Sequence, residues 1–399
     1  VLPRQIHSNV YSVGVIDWDL PRFDNLVPLP EGTSYNCYLI KDEESTILID
    51  TVDQDRVEEL LENLKAAEVD TIDVIVCNHA EQDHSGAIPS LMTIYPQAKV
   101  VTSKKGKSML EEMYSLDEDR VIVVNDGEEL TFESVHLKFI YTPWVHWPET
   151  MVTYYRGGHL LFSCDFLGAH IATSELYASA VENIIDPAKR YYAEIMMPYR
   201  NFIVKHLEKI APLSISKIAP SHGPVYDQPK MILDLYKQWT SEDCDGTVVI
   251  TYISMHGTIE KLAHQLTNLL IDRNIRVKLM NLVEPDIGAI AMALVNAEAL
   301  VMAGSTVLNG PHPNAASAAF LINMLKPKLK YAAIVTAFGW GGKMAEKLHE
   351  MLGDLKATFL PDVKIKNKPD DGDYGELVQL ADLLAEKIRK RANTRKISK

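Results

Sequence analysis

The sequence predicts two fold classes in series. The first part is α+β, two sheets with outer helices; the second is α/β, a doubly wound parallel sheet. Three observations carry this. Up to residue 245 strand-like runs predominate, with a few helices between them. From residue 246 five strands alternate with five helices. The change falls in "WTSEDCDGT", residues 239–247, so domains 1–245 and 246–399 are expected.

The elements follow in order. "TSYNCYLIKDEESTILIDT" is two strand-like runs around a charged turn, a hairpin signal. "VEELLENLKAAEV" has helical spacing. "TIDVIVCNHAEQDHSG", "KVVTSKKGKSMLEEM", "RVIVVNDGEELTF", "VHLKFIYTPWVHWPETMVTYY" and "HLLFSCDFLG" then supply mostly strands. The helical "AKRYYAEIMMPYRNFIVKHLEKIA" and the short "ISKIAPSHGPVY" close the first part. In the second, strand "TVVITYI" leads into a helix whose apolar face is Ile259, Leu262, Ala263, Leu266 and Leu269. Strands "IRVKLMNL", "ALVMAGST", "YAAIVTAFG" and "ATFLPDVKI" alternate with helices, the last from Gly375.

With 40 basic against 54 acidic residues the net charge is -14, which disfavours nucleic acid or an anionic membrane as partner. The basic end, "KIRKRANTRKISK", reads as a solvated, frayed helix terminus. No apolar run approaches the ~18 residues of a membrane span, and the N-terminus lacks a signal-peptide pattern. A cytoplasmic protein is expected. Cys37, Cys77, Cys164 and Cys244 contain no C-x-x-C pair, so they read as reduced, buried thiols.

The chemistry concentrates in "IVCNHAEQDHSG", where an apolar strand ends in His79, Glu81, Asp83 and His84. Strand-end loops hold metal ligands rigidly. His146 in "TPWVHWPET", Asp165 in "LFSCDFLG" and His222 in "IAPSHGPVY" sit at similar junctions. Singly, each of these three is ordinarily a satisfied polar or turn residue. Together with the cluster they make four histidines and three carboxylates, enough for two metals sharing one carboxylate. Such a carboxylate-rich, imidazole-containing set suits iron or manganese better than zinc.

The order H-x-H-x-D-H, then His, Asp, His, resembles the metallo-β-lactamase fold, with Glu81 at the second histidine position. That change resembles the flavodiiron proteins, or A-type flavoproteins. Further matches are "VGVIDWD", "HWPETM", "CDFLGAHIA", "PYR" and "PSHGPVY". The resemblance covers nearly the whole chain. It implies a metallo-β-lactamase-like αββα sandwich carrying a non-haem diiron centre, followed by a flavodoxin-like doubly wound sheet carrying FMN. It assigns His79, Glu81 and His146 to one iron, Asp83, His84 and His222 to the other, and Asp165 as the bridge. His84 is the variable position of the family.

Three loops at strand ends are candidates for FMN: Ser254, Met255, His256, Gly257, Thr258 and Ile259; Ser305, Thr306, Val307, Leu308 and Asn309; and Ala337, Phe338, Gly339, Trp340, Gly341 and Gly342. Backbone N–H groups and hydroxyls at the first strand-to-helix turn make an anion cradle for the phosphate. Glycines in the third let backbone approach the isoalloxazine, and Trp340 is placed to stack on it or edge it. Ile259 and Val307 depart from the flavodoxin pattern, where hydroxyls are usual, so the phosphate leans more on backbone donors.

The resemblance implies an oxidoreductase. It passes electrons from an external donor, rubredoxin or a reduced deazaflavin coenzyme, through FMN to the diiron site. That site reduces dioxygen to water, nitric oxide to nitrous oxide, or both. The family also implies a head-to-tail homodimer or dimer of dimers. Family members often carry His-Gly-Tyr after the "DW" motif; here Asp24-Asn25-Leu26 stands there, so a preference between the two gases is not transferred. Two rivals are a zinc-dependent hydrolase of the metallo-β-lactamase fold with an accessory FMN domain, and a flavodoxin-like electron carrier with a relic first domain. Glu81 argues against the hydrolase.

Overall fold

The structure is a computed structural model that describes residues 2–397; the last two residues of the basic C-terminal stretch lie outside the described residues. Two compact units are formed, Val1–Tyr192 with Tyr199–Thr240, and Ala193–Pro198 with Ser241–Lys399.

The first unit contains a seven-stranded sheet in the order Arg4–His7, Val10–Ser12, Tyr38–Lys41, Thr46–Ile49, Val74–Val76, Lys99–Ser103 and Val121–Val124. Its first four strands pair antiparallel and its last four parallel. The parallel pairs need crossovers, and the helices Val57–Ala66, Ile88–Ile94 and Lys104–Tyr114 lie in those connections. A five-stranded sheet runs Glu129–Phe132, Val135–Tyr141, Met151–Tyr155, Leu160–Cys164, Lys217–Pro220.

Side chains alternate along each strand, and this builds the layers. Ile47 and Ile49 enter a core with Phe139, Met151 and Phe162 of the second sheet. Leu48, pointing the other way, packs with Leu60, Leu64, Ile88 and Leu91 of the helices. Strand Val74–Val76 is buried throughout because both faces are covered. Two sheets face to face with outer helices is the αββα sandwich.

In the second unit the sheet order is Val277–Asn281, Val248–Ile253, Ala299–Val307, Tyr331–Phe338, with Thr358–Phe359 and Val363–Lys366 both against Tyr331–Phe338. All these pairs are parallel. In chain order this is 2-1-3-4-5, the flavodoxin-like doubly wound arrangement. Alternation again sorts the faces. Val248 and Ile250 pack with Leu262, Leu266, Leu377 and Leu380 of helices Thr258–Asp272 and Asp371–Ile397. Val249 and Ile253 pack with Ile290, Ala318 and Leu348 of the opposite helices.

Three details differ from the sequence reading. "ATFLPDVKI" is two short strands, because Pro361 lacks the N–H a continuous ladder needs. The last helix begins at Asp371, before Gly375. The third strand continues into a hairpin, Thr306 opposite Pro311 and Val307 opposite Gly310. Among the described residues no helix is long and apolar enough to cross a membrane.

Candidate metal centre and flavin cradle

The central strand Val74–Val76 ends where the chain must leave the sheet, and the next residues stay buried. Asp50 holds this exit: its carboxylate accepts from the Asn78 backbone N–H (2.7 Å) and side chain (2.9 Å). His79 follows, and Glu81 precedes a one-turn helix, Gln82–Ser85, that carries Asp83 and His84. From the second sheet, strand Leu160–Cys164 delivers Asp165 and strand Lys217–Pro220 delivers His222. His146 comes from the loop between Val135–Tyr141 and Met151–Tyr155.

The seven side chains converge on two groups. His79, Glu81, His146 and Asp165 form one, and Asp83, His84 and His222 the other. Asp165 reaches both. Its Oδ2 lies 3.4 Å from His79 Nε2 and 3.1 Å from His146 Nε2. Its Oδ1 lies 2.9 Å from His84 Nε2 and 3.3 Å from His222 Nε2. Glu81 Oε2 is 3.0 Å from His79 Nε2 and 3.1 Å from His146 Nε2. Asp83 Oδ2 is 3.3 Å from both His84 Nε2 and His222 Nε2.

These atoms approach one another without pairing well. Both oxygens of Asp83 and of Asp165, and both ring nitrogens of His84, are buried without a hydrogen bond of good geometry. Native interiors rarely leave such atoms unsatisfied. Ligands bound about 2.1 Å from one ion stand roughly 3.0–3.4 Å apart in octahedral or tetrahedral geometry. The observed spacings are those of atoms aimed at a shared cation, and the residues fit a pair of ions.

Outer contacts fix the donors. His79 Nδ1 donates to Glu149 Oε1 at 2.6 Å, and His222 Nδ1 donates to the Ser34 carbonyl at 2.7 Å. Each leaves Nε2 as the lone-pair nitrogen facing the pocket. His84 has no such anchor. Glu149, Ser34 and His170 were not singled out in the sequence. Glu149 lay inside the quoted "HWPETM", three residues after His146, and that was its only signal.

Electrostatics follow from the packing. Burial pulls each histidine toward neutrality, but the carboxylates win. His222 rises to about 10 beside Asp165 and Asp83, and His146 to about 9 beside Asp165 and Glu81. His79 also lies well above its usual range, against burial, because of Glu149 and Glu81. Burial raises Glu81 and Asp165, yet their histidine neighbours hold both well below the ordinary carboxylate range. His170 is the opposite case. Wholly buried against Tyr191 and His222, and bonded through Nδ1 to Thr33 Oγ1 at 2.9 Å, it is pushed well down by burial and then by His222.

The flavin candidates sit in the second unit at the carboxyl ends of three adjacent strands, Val248–Ile253, Ala299–Val307 and Tyr331–Phe338. In this strand order that edge contains the switch point where ligands bind. Gly257 caps helix Thr258–Asp272 with φ +83°, and its N–H donates to Ser254 Oγ at 3.1 Å. Met255 is exposed beside it. Ile259 is fully buried in the core, so only its backbone can serve the cradle. Leu308 and Asn309 tip the hairpin in left-handed conformation, and Leu308 is 88% exposed. Gly341 at φ +62° lies against Asn309: a Cβ there would stand 2.6 Å from Asn309 Oδ1. Trp340 between the glycines is 74% exposed. Thr306 Oγ1 and Asn309 Oδ1 are buried without partners. Exposed apolar groups beside unsatisfied polar atoms and open backbone fit a flat, phosphorylated ring system.

Comparison with known proteins gives the same division. A family profile described as "ODP family beta lactamase" matches residues 33–223, and one described as "Flavodoxin" matches residues 250–380. The nitric oxide reductase of Moorella thermoacetica is 33% identical over 395 residues, 97% of this chain and 99% of that one. The rubredoxin oxygen:oxidoreductase from Desulfovibrio gigas superposes with a TM-score of 0.93 at 31% identity, covering 98% of this chain and 99% of that chain. The flavodiiron protein from Giardia intestinalis gives a TM-score of 0.91 at 26% identity, covering 99% and 98%.

Proposed function

The chain belongs to the flavodiiron protein family, and on that premise we propose that it is an oxygen or nitric oxide reductase. Electrons pass from an external donor through FMN to a non-haem diiron site, which reduces dioxygen to water, nitric oxide to nitrous oxide, or both. When bound, the flavin supplies one- or two-electron transfer and the iron pair a reducing centre for a diatomic molecule. The observation that carries the reading is Asp165, whose two oxygens face two separate histidine–carboxylate groups.

The protein's own residues have the following roles. His79, Glu81 and His146 would hold one iron and Asp83, His84 and His222 the other, with Asp165 facing both. Glu149 and the Ser34 carbonyl orient His79 and His222. The loops 254–259, 305–309 and 337–342 would hold FMN, with Gly257 and Gly341 leaving backbone open to it. We place the division between the two functional domains at 245/246, between the two profile matches.

For the donor we propose rubredoxin, which the name of the Desulfovibrio gigas relative supports, with a reduced deazaflavin coenzyme as the competing candidate. A head-to-tail homodimer or dimer of dimers is the proposed assembly, by family resemblance. The four buried free cysteines favour the reducing cytoplasm. The test is anaerobic reduction of the purified protein, then separate rapid mixing with dioxygen and with nitric oxide. Rapid reoxidation by at least one, with about two irons per chain, is expected. Failure with both gases, or zinc alone in the site, overturns the reading.

A further inference from the structure

The strand that delivers Asp165 delivers a second donor beside it. Leu160 and Phe162 enter the core between the two sheets, and strict alternation would send Cys164 and Asp165 to opposite faces. The ladder breaks that rule. Leu160 pairs with Lys217, Leu161 with Ile218 and Phe162 with Ala219, but Cys164 pairs with Pro220, so Ser163 is the extra residue of a bulge. Bulges re-aim side chains and recur beside active sites. Cys164 also has φ 49°, a left-handed backbone uncommon outside Gly, Asn, Asp and His. Cys164 and Asp165, though consecutive, both reach one group with His84.

That group draws one member from each of the two metal groups and adds a sulfur. His84, Cys164 and Asp165 each offer one ligand atom, the three atoms lie within 4.8 Å of one another, and all three residues are buried. Oxygen, nitrogen and sulfur bound at about 2.0–2.3 Å to a tetrahedral zinc stand roughly 3.3–3.6 Å apart, inside that limit. Both ring nitrogens of His84 and both oxygens of Asp165 lack hydrogen bonds of good geometry. The other three thiols are tied elsewhere. Cys37 donates to the Asp50 carbonyl at 3.1 Å, Cys77 to the His79 carbonyl at 3.0 Å and Cys244 to the Lys328 carbonyl at 3.6 Å. The Cys164 sulfur has the Ser221 side chain and the Asp165 backbone as its other polar neighbours.

We propose that His84, Cys164 and Asp165 form a subsite for a thiophilic divalent cation of the zinc class, filled in competition with the second iron. The donors select the ion. Thiolate with imidazole and carboxylate is a zinc set, whereas the group of Asp83, His84 and His222 has no sulfur. On binding, the Cys164 S–H bond breaks, its proton passes to bulk buffer and a sulfur–metal bond forms; no electron moves. The ion engages His84 and Asp165, two donors that the second iron needs. His84 is the donor free to be shared, since no outer contact fixes its ring, whereas the Ser34 carbonyl fixes His222. Zinc has no redox chemistry, so an ion held here silences the centre. That consequence, though not the subsite itself, rests on the reductase reading above.

The test takes the full chain freed of metal and adds zinc at about one ion per chain. X-ray absorption at the zinc edge is expected to show a sulfur neighbour at about 2.3 Å. In Cys164→Ser and Cys164→Ala that neighbour should vanish and zinc affinity should fall by at least about 10–100-fold, the loss that even an outer partner brings, with FMN content unchanged. Cobalt in place of zinc should give a thiolate charge-transfer band in the near ultraviolet, absent from both variants. Zinc added first should hold later iron uptake to about one per chain. Four results overturn the inference: no sulfur neighbour in the unaltered protein, a sulfur neighbour that persists in the variants, variant zinc affinity within twofold of the parent, or full iron uptake after zinc. The first needs no variant, so it decides even where both substitutions unfold the chain. If the iron-loaded unaltered protein reduces neither gas, the reductase reading fails, and the sulfur neighbour still decides the subsite.

Discussion

The metal centre and the flavin cradle are built by opposite means. The centre is made of side-chain atoms sunk in a sandwich; six of its seven side chains come from strand ends or the turn after one, and the central carboxylate faces both groups. The cradle is made of backbone, glycine and exposed apolar side chains at the ends of three parallel strands. The difference reflects the ligands. A small cation needs charged donors at fixed distances and tolerates no spare motion. A broad flat ring with a phosphate needs open backbone N–H groups and an apolar surface. Damage to the centre should therefore be severe and local to iron, and damage to the cradle graded and local to flavin.

The strongest test is Asp165→Ala. Removing the carboxylate whose two oxygens face the two groups should take iron from about two per chain to well under one and abolish terminal reduction, with FMN content unchanged by absorbance. Retention of both irons would break the claim of a shared bridge. Next is Glu149→Gln, which leaves His79 Nδ1 without its carboxylate partner. Metal affinity should fall roughly 10–100-fold, read by competition with a chelator, and flavin affinity should not move.

On the cradle side, Gly341→Ala places a Cβ against Asn309 in a left-handed backbone. The cost of about 1–2 kcal/mol should weaken FMN binding roughly tenfold in a fluorescence titration, with iron content unchanged. A loss of iron in this variant would mean that the two sites are not independent.

The mildest effect concerns protons. In the metal-free protein His146 and His222 titrate at about 9 and 10, above the unfolded value of 6.5. Groups with raised folded values contribute stability that is fully present below about pH 6.5 and lost as the pH climbs through about 9–10. The unfolding midpoint of the metal-free protein should therefore fall across that window in calorimetry. The loaded protein, whose rings carry metal in place of these protons, should lack that decline. Loading at pH 7 should also release protons. A rising midpoint, or no proton release, would show that the carboxylates do not hold these rings charged.

The cluster from His79 to His84 was legible because few structures need four such side chains in six positions after an apolar strand. His146, Asp165 and His222 were legible only through their order relative to that cluster. Glu149, Ser34 and His170 were not, since each acts through a partner 70 to 188 residues away. Ser34 in particular contributes a backbone carbonyl, which no residue type announces. The second unit's alternation of strands and helices was plain. The hairpin at Gly310–Pro311 was hidden, because "VLNG" reads as an ordinary loop until Leu308 and Asn309 are seen to be left-handed.

What the sequence by itself determined was the two fold classes; the donors and flavin loops it named are the candidates on which the proposed function rests. Residue chemistry and periodicity are local properties, and they are written one residue at a time. What only the tertiary structure decided was the partition of the donors into two groups and the orientation of Asp165 toward both. These depend on distances between segments far apart in the chain, and such distances come from how two sheets stack, with Ile47, Phe139 and Phe162 filling the space between them.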